Sequence, residues 1–127
     1  MVWIQIMISK ILLHSRTQAH SFHVGVKGVG ALSAHQALQH YYDTIGGIVD
    51  GLVEAYQGQY GLIKLQAVSG LDTNNDIKNV VVYFDKLIAA VAKLRQDEKL
   101  QMSWLQNDID TVVTLLYSTK YKLVNLQ

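Results

Sequence analysis

The chain has 127 residues, half of them apolar, which fits one domain with an ordinary hydrophobic core and argues against a disordered segment. It contains no cysteine, which excludes disulfides and thiolate metal sites, and no proline, which favours long helices with few connections. The formal net charge of +1, from 11 basic and 10 acidic side chains, gives no argument for strong nucleic-acid binding.

The first predicted helix runs from about residue 3 to about residue 23 and begins with a strongly apolar stretch that ends at Leu13. This stretch lacks the basic start and the small-residue cleavage site of a signal peptide. It is also interrupted by Lys10 and is shorter than the ~20 apolar residues that a bilayer takes. We therefore expect a helix buried by packing, within the chain or against a second subunit, and neither secretion nor a membrane contact.

A glycine-rich connector from Gly25 to Gly30 joins this helix to a second one, predicted over residues 33–57. Ser33 and Gln36 have the spacing of a capping box, which predicts the start of the second helix. Gly58 suits the position that follows a helix and predicts its end. The connector lacks a preceding strand and the glycine order of a dinucleotide-binding loop, so we interpret it as a turn between antiparallel helices.

Three glycines, Gly46, Gly47 and Gly51, lie inside the second helix. Each costs up to ~1 kcal/mol relative to alanine in a helix interior. Small residues on one helix often mean that another helix backbone comes close, so we expect a helix or subunit contact at this point.

Residues 59–75 are predicted to form a linker, which has enough apolar residues for a short helix of its own and a polar end that offers N-caps. A third helix is predicted over residues 75–95 and a fourth over residues 98–123. Both carry an apolar stripe at helical spacing, and no strand alternation competes. Two helical hairpins predict a single all-α domain over residues 1–127, built as an antiparallel four-helix bundle.

All five histidines fall between residues 14 and 40, and Asp43, Asp50 and Glu54 follow on the second helix. Imidazole and carboxylate together suit borderline divalent transition metals such as iron and zinc. Asp50 and Glu54 are four residues apart and share one helix face. His35 precedes Asp50 by fifteen residues, about 22 Å along a helix axis. These two residues therefore cannot bind one ion within one chain through this helix, and a shared metal would need a symmetry mate.

His23 lies twelve residues before His35, across the connector, and a helical hairpin could bring the two histidines together. The candidate ligands thus divide into a histidine pair and a carboxylate pair. Two other interpretations stay open: polar packing near a loop for the histidines, and a solvated helix face for Asp50 and Glu54.

At the level of families, the spacing His23-x11-His35-x14-Asp50-x3-Glu54 resembles the ferroxidase signature of the Dps mini-ferritins. The segments at about residues 18–60, which include AHSFHV and YQGQYG, and at 104–123 resemble small ferritin-like proteins encoded by tailed bacteriophages, often labelled starvation-inducible DNA-binding proteins.

The resemblance implies a ferritin-like fold and a homo-oligomer with a two-fold dimer contact through the first two helices. It implies one or two iron ions between His23 and His35 of one chain and Asp50 and Glu54 of its mate. Fe(II) would be oxidised there by oxygen or peroxide and then stored.

Two residues are alternative ligands to those four. His20 replaces His23 if the connector differs in length from the family's, and Asp43 is an alternative acid because Gln39 stands where mini-ferritins commonly have an acidic residue. The third and fourth helices contain no histidine, so we do not expect a di-iron site contained within one chain.

Two other functions remain open. The bundle could have lost its metal and serve as a structural component of a phage particle, in contact with other virion proteins. DNA protection by a Dps-like shell is the weaker alternative, because the charge is near neutral. The expected location is the cytoplasm of a bacterial host, or the virion.

Overall fold

The computed structural model describes residues 2–127; Met1, where the predicted domain begins, lies outside the described residues. Over that range the chain is helical and contains no strand. The elements are α1 (Val2–Ile6), a π-helical stretch (Met7–Leu13), α2 (His14–Gly25), α3 (Ala31–Tyr60), α4 (Ile77–Arg95), a 3-10 turn (Glu98–Leu100) and α5 (Ser103–Asn125). The first three run on without interruption, and we call them together the N-terminal rod. The prediction of an all-α chain with four long helical segments is confirmed.

The predicted ends of α3 are wrong. The helix begins at Ala31, and its N-cap is Gly30, which has a φ of 82° and supplies no side-chain cap. It continues through Gly58 to Tyr60, and Gly61 follows with a φ of 95°. Both flanking glycines adopt backbone conformations that other residues rarely adopt, so glycine ends the helix on each side and a serine capping box is not used.

The linker between α3 and α4 forms no helix of its own, and runs instead along the N-terminal rod. Polar side chains of the rod bind its backbone: the Gln66 N–H donates to Ser9 Oγ at 2.8 Å. The Gln18 amide accepts from the Asp72 N–H at 2.7 Å and donates to the Asp72 carbonyl at 2.9 Å. These bonds replace the internal hydrogen bonds of a helix. The N-cap of α4 is Asp76, one residue beyond the predicted caps.

Contacts along α3 and α4 show that these two helices run parallel. The Tyr41 ring meets the Phe84 ring edge-on, with centroids 5.0 Å apart. About five turns further along α3, the centroid of the Tyr60 ring lies 5.4 Å from Nζ of Lys99, which is in the 3-10 turn that follows α4. Since α3 and α4 begin at the same end of the bundle, the linker between them has to run along the whole length of the bundle.

Two ion pairs show that α5 runs antiparallel to α4. Lys120 Nζ lies 2.7 Å from Asp85 Oδ1, and Arg95 Nε lies 2.7 Å from Asp110 Oδ1. Around the bundle, α3 packs between the N-terminal rod and α5, and α4 packs between α5 and the rod. The four rods therefore form two antiparallel hairpins joined by one long crossover.

The core between the four rods is apolar and aromatic. Phe22, Leu38, Tyr41, Phe84 and Leu116 are fully buried there. The Tyr41 hydroxyl lies 2.7 Å from Ser15 Oγ, which donates in turn to the Leu12 carbonyl. Burial raises the pKa of Tyr41, so the phenol stays neutral and serves as a hydrogen-bond donor.

No helix in the described part of the chain is both long enough and apolar enough to cross a membrane.

Candidate metal site

His23 and His35 lie face to face where α2 ends and α3 begins. Their ring centroids are 3.6 Å apart and their planes differ by 21°. His23 Nδ1 lies 2.7 Å from the His35 carbonyl oxygen, and His35 Nδ1 lies 2.8 Å from the His23 carbonyl oxygen. A carbonyl oxygen only accepts, so each Nδ1 carries the proton and donates. In the neutral rings, each Nε2 therefore keeps a free lone pair.

The short connector explains why these two bonds form. The His23 carbonyl is one of the last four of α2, which have no partner within the helix. The connector contains Gly28 with a φ of 91° and Gly30 with a φ of 82°, and it folds α3 tightly back on α2. The His35 ring thereby satisfies a carbonyl at the C-terminal end of α2. A backbone carbonyl that receives Nδ1–H is the usual orienting partner of a histidine that binds metal through Nε2.

Two further rings complete a four-ring cluster around this pair. The His20 ring stacks on Tyr42, with centroids 4.3 Å apart and planes differing by 16°. Tyr42 also meets His23 edge-on at 5.3 Å. His20 is exposed, whereas His23 is 8% exposed. The structure thus joins His35 to His23, and places the alternative His20 one turn away, against Tyr42.

The acidic candidates lie on the outer face of the same hairpin. Asp43 and Asp50 line a surface cleft of about 510 Å³ between α2 and α3, together with Arg16 and His20. Asp50 and Glu54 line a neighbouring cleft of about 220 Å³, whose other wall includes the π-helical stretch. All three carboxylates are exposed.

A single chain does not bring the histidine pair and the carboxylate pair together. In the described residues 2–127, no three His, Cys, Asp or Glu side chains lie close enough to hold one ion. The buried polar side chains of the core are Ser9, Ser15, Gln18, His23 and Thr119, so the bundle interior contains no carboxylate in that range.

The chain belongs to a family of unknown function. The model of that family, DUF5856, matches residues 30–123, about three quarters of the chain. No curated protein and no solved structure matches this sequence.

The DUF5856 match divides the candidate ligands. It includes His35, Asp43, Asp50 and Glu54, which all lie on α3. It does not include His20 and His23 on α2. The candidate carboxylates and His35 therefore lie within the matched range.

The remaining histidines have other positions. His14 Nδ1 lies 2.8 Å from the Tyr83 hydroxyl, and its Nε2 lies 3.2 Å from the Gly70 carbonyl, so this ring ties the crossover to α4. His40 is exposed on α3. The backbone carbonyls at His23 and His35 are the site features that the sequence did not indicate. For the carbonyls no sequence signal exists, because every residue has one.

Proposed function

We propose that the protein is a ferritin-like, Dps-type iron-binding protein, in which a site shared by two chains binds and oxidises Fe(II). The reciprocal bonds of His23 and His35 are the observation that carries this proposal. They fix both rings in the tautomer that binds metal through Nε2, with Nδ1 protonated and Nε2 unprotonated in the neutral ring. The bond from His35 satisfies the His23 carbonyl at the end of α2, but the His35 carbonyl lies inside α3 and does not need the bond from His23.

The connectivity of the bundle supports the ferritin-like assignment. Four-helix bundles with short loops alternate up and down, whereas ferritin-like bundles have one long crossover between their second and third helices. Here α3 and α4 are parallel and are joined by the crossover along the N-terminal rod.

A two-fold dimer through the outer face of α2 and α3 would complete the site. With two copies of α3 antiparallel, His35 of one copy lies beside Glu54 of the other when the axis passes halfway between these positions, near Ile45.

Gly46 and Gly47 lie beside that point. A Cβ atom added to Gly47 or Gly51 would meet nothing within 4 Å, so the single chain does not require glycine there. Exposed glycines inside a helix are destabilising on their own, and close approach of a second backbone would explain them.

The donor set of such a dimer suits iron as a substrate. It would present the Nε2 atoms of His23 and His35 and the carboxylates of Asp50 and Glu54, a mixture that binds borderline divalent metals. Each Fe(II) would give one electron to oxygen or peroxide, and the carboxylates would stabilise the greater charge of Fe(III).

Fe(II) oxidation and metal content of the purified protein test the proposal. We expect Asp50→Asn/Glu54→Gln and His23→Ala/His35→Ala each to lose rapid oxidation, while the matched acid variant Glu98→Gln retains it. Background oxidation and no bound iron in the unchanged protein would refute the proposal.

Mixing the two inactive variants tests whether the site is shared. In a heterodimer one site receives both defects, and the other receives intact histidines and intact carboxylates. After subunits exchange at equal amounts, about a quarter of all sites would be intact. No recovery, in a mixture shown to contain heterodimers, would mean that the site is not built across the two-fold axis.

A second candidate function is that of a metal-free assembly component, and the exposed aromatic side chains of α5 favour it. Trp104, Tyr117 and Tyr121 are 52%, 54% and 58% exposed, more than their size favours on an isolated chain. The resemblance to phage-encoded proteins makes the virion the place to look, and absence from purified particles would count against it. Dps-like DNA protection is the third candidate, and a gel shift at low salt with no retardation would exclude it.

A further inference from the structure

A second groove lies on the other side of the molecule, between the N-terminal rod and α4. It consists of two adjoining clefts of about 230 and 340 Å³, which share Lys86 and Ala90. Met7 and Leu87 are buried at its floor, and Ile11 and Ala90 are half-buried beside them. We call it the lysine groove. It shares no lining residue with the clefts that contain Asp43, Asp50 and Glu54.

The charged side chains that line the lysine groove are all positive. Lys10, Lys86 and Lys93 line it, all three are exposed, and no carboxylate lines either cleft. Over residues 2–127, none of the three ammonium groups lies within 4 Å of a carboxylate oxygen. Lys86 does help to hold the pKa of the exposed Asp72 carboxyl below its ordinary value, but the hydrogen bond from Asn79 is the larger cause. The residues that line the groove therefore carry a net positive charge above an apolar floor.

The two ends of the lysine groove differ. At one end His14 uses both of its ring nitrogens, on Tyr83 and on the Gly70 carbonyl, so it offers no free group to a ligand. At the other end lies Trp3, 36% exposed. Between them the groove follows α4 from Tyr83 to Lys93, ten residues or about 15 Å. The lysines are therefore the charged groups available to an anionic head group.

We propose that the lysine groove binds a single-chain anionic amphiphile of the fatty-acid class. The acyl chain lies on the floor formed by Met7, Ile11, Leu87 and Ala90, and the carboxylate pairs with the lysines. Small-molecule sites are typically clefts of about 300–1,000 Å³ with mostly apolar walls and a few polar groups that fix orientation. Charge complementarity selects an anionic head group over a neutral or cationic one.

Dodecanoate, kept below its micellar concentration, is the probe, and Trp3 reports its binding. In a Trp104→Phe background the only tryptophan lines the groove, so binding shifts its fluorescence directly. We expect saturable binding that weakens roughly tenfold in Lys10→Gln/Lys86→Gln/Lys93→Gln, because exposed ion pairs each contribute modestly. The control Lys27→Gln/Lys64→Gln/Lys78→Gln makes the same change in net charge away from the groove and should bind as the parent does.

A second variant tests the apolar floor. Ala89 is exposed and lines the groove, so Ala89→Phe should obstruct the acyl chain and leave the core and the helical circular dichroism unchanged. We expect binding to fall at least about tenfold in this variant.

Three results would overturn the proposal: no saturable binding of dodecanoate, equal binding of the chain-length-matched cation dodecyltrimethylammonium, or equal loss in both lysine variants. Binding only to phosphatidylglycerol vesicles would assign the groove to a membrane surface instead.

Discussion

We predict that Gly47→Ala stabilises the dissociated chain and weakens the proposed dimer. Gly47 lies inside α3, is exposed, and a Cβ atom there would meet nothing within 4 Å. Alanine is better than glycine in a helix interior by about 0.8–1.0 kcal/mol, so the substitution should stabilise the dissociated chain by about that amount. For a domain of this size the melting temperature would rise by about 4 °C. If two α3 helices meet at Gly47, the same methyl group is introduced twice at their closest approach, where overpacking costs typically 1–3 kcal/mol.

Urea unfolding at a concentration where the protein is dissociated measures the first effect, and sedimentation equilibrium measures the second. We expect a higher unfolding free energy together with a dimer dissociation constant raised at least about fivefold, which corresponds to ~1 kcal/mol. Gly58→Ala is the matched control, because Gly58 also lies in α3, is exposed, and has nothing within 4 Å. Gly58→Ala should raise the unfolding free energy of the dissociated chain and leave the dimer dissociation constant unchanged. Unchanged association of Gly47→Ala would refute the proposed contact, and a destabilised dissociated chain would refute the helix argument itself.

Three further predictions concern stability. Gly25→Ala should lower the unfolding free energy by about 1–3 kcal/mol in thermal melts, because its Cβ would clash with the Asn75 side-chain amide; an unchanged melting temperature would contradict this prediction. Phe84→Ala should lose about 3–5 kcal/mol in urea unfolding, since Phe84 is fully buried, and a loss below 1 kcal/mol would contradict its central position. The Arg95 guanidinium lowers the pKa of Asp110, so this pair stabilises the fold above the unfolded carboxyl's value of about 3.9 and the contribution disappears as pH falls through the lowered native value. Arg95→Gln should accordingly raise the Asp110 pKa in an NMR titration, and its stability difference from the parent should be seen at pH 7 and vanish near pH 2.

Sequence reasoning predicted the four long helices because each carries a local signal. The apolar stripes of α4 and α5 repeat at helical spacing, and periodicity depends only on neighbouring residues. The boundaries were harder. Ser33 and Gln36 satisfy the capping pattern, yet α3 begins at Ala31, because Gly30 already takes the left-handed conformation that turns the chain. The π-helical stretch was not predicted either, since no residue pattern signals it.

For the candidate site too, one feature followed from the sequence and another only from the tertiary structure. The distance of His35 from Asp50 and Glu54 along α3 follows from helix geometry alone. The sequence by itself therefore determined that these three residues of one chain cannot bind the same ion. The spacing left open whether His23 or His20 pairs with His35. The tertiary structure decided it, because the length and glycine angles of the connector set which turns of α2 and α3 face each other.

The sequence by itself determined that the chain is all-α, that it has four long helical segments, and which residues could bind a metal, because composition and periodicity do not depend on which distant residues meet. Only the tertiary structure decided that α3 and α4 run parallel, that the crossover lies along the N-terminal rod, and that both Nδ1 atoms are held by carbonyls. The last two features depend on hydrogen bonds between residues far apart in the chain, as from the Gln66 N–H to Ser9 Oγ, 57 positions away. Backbone groups form most of these bonds, and a backbone group is the same in every residue, so no pattern of side chains predicts its partner.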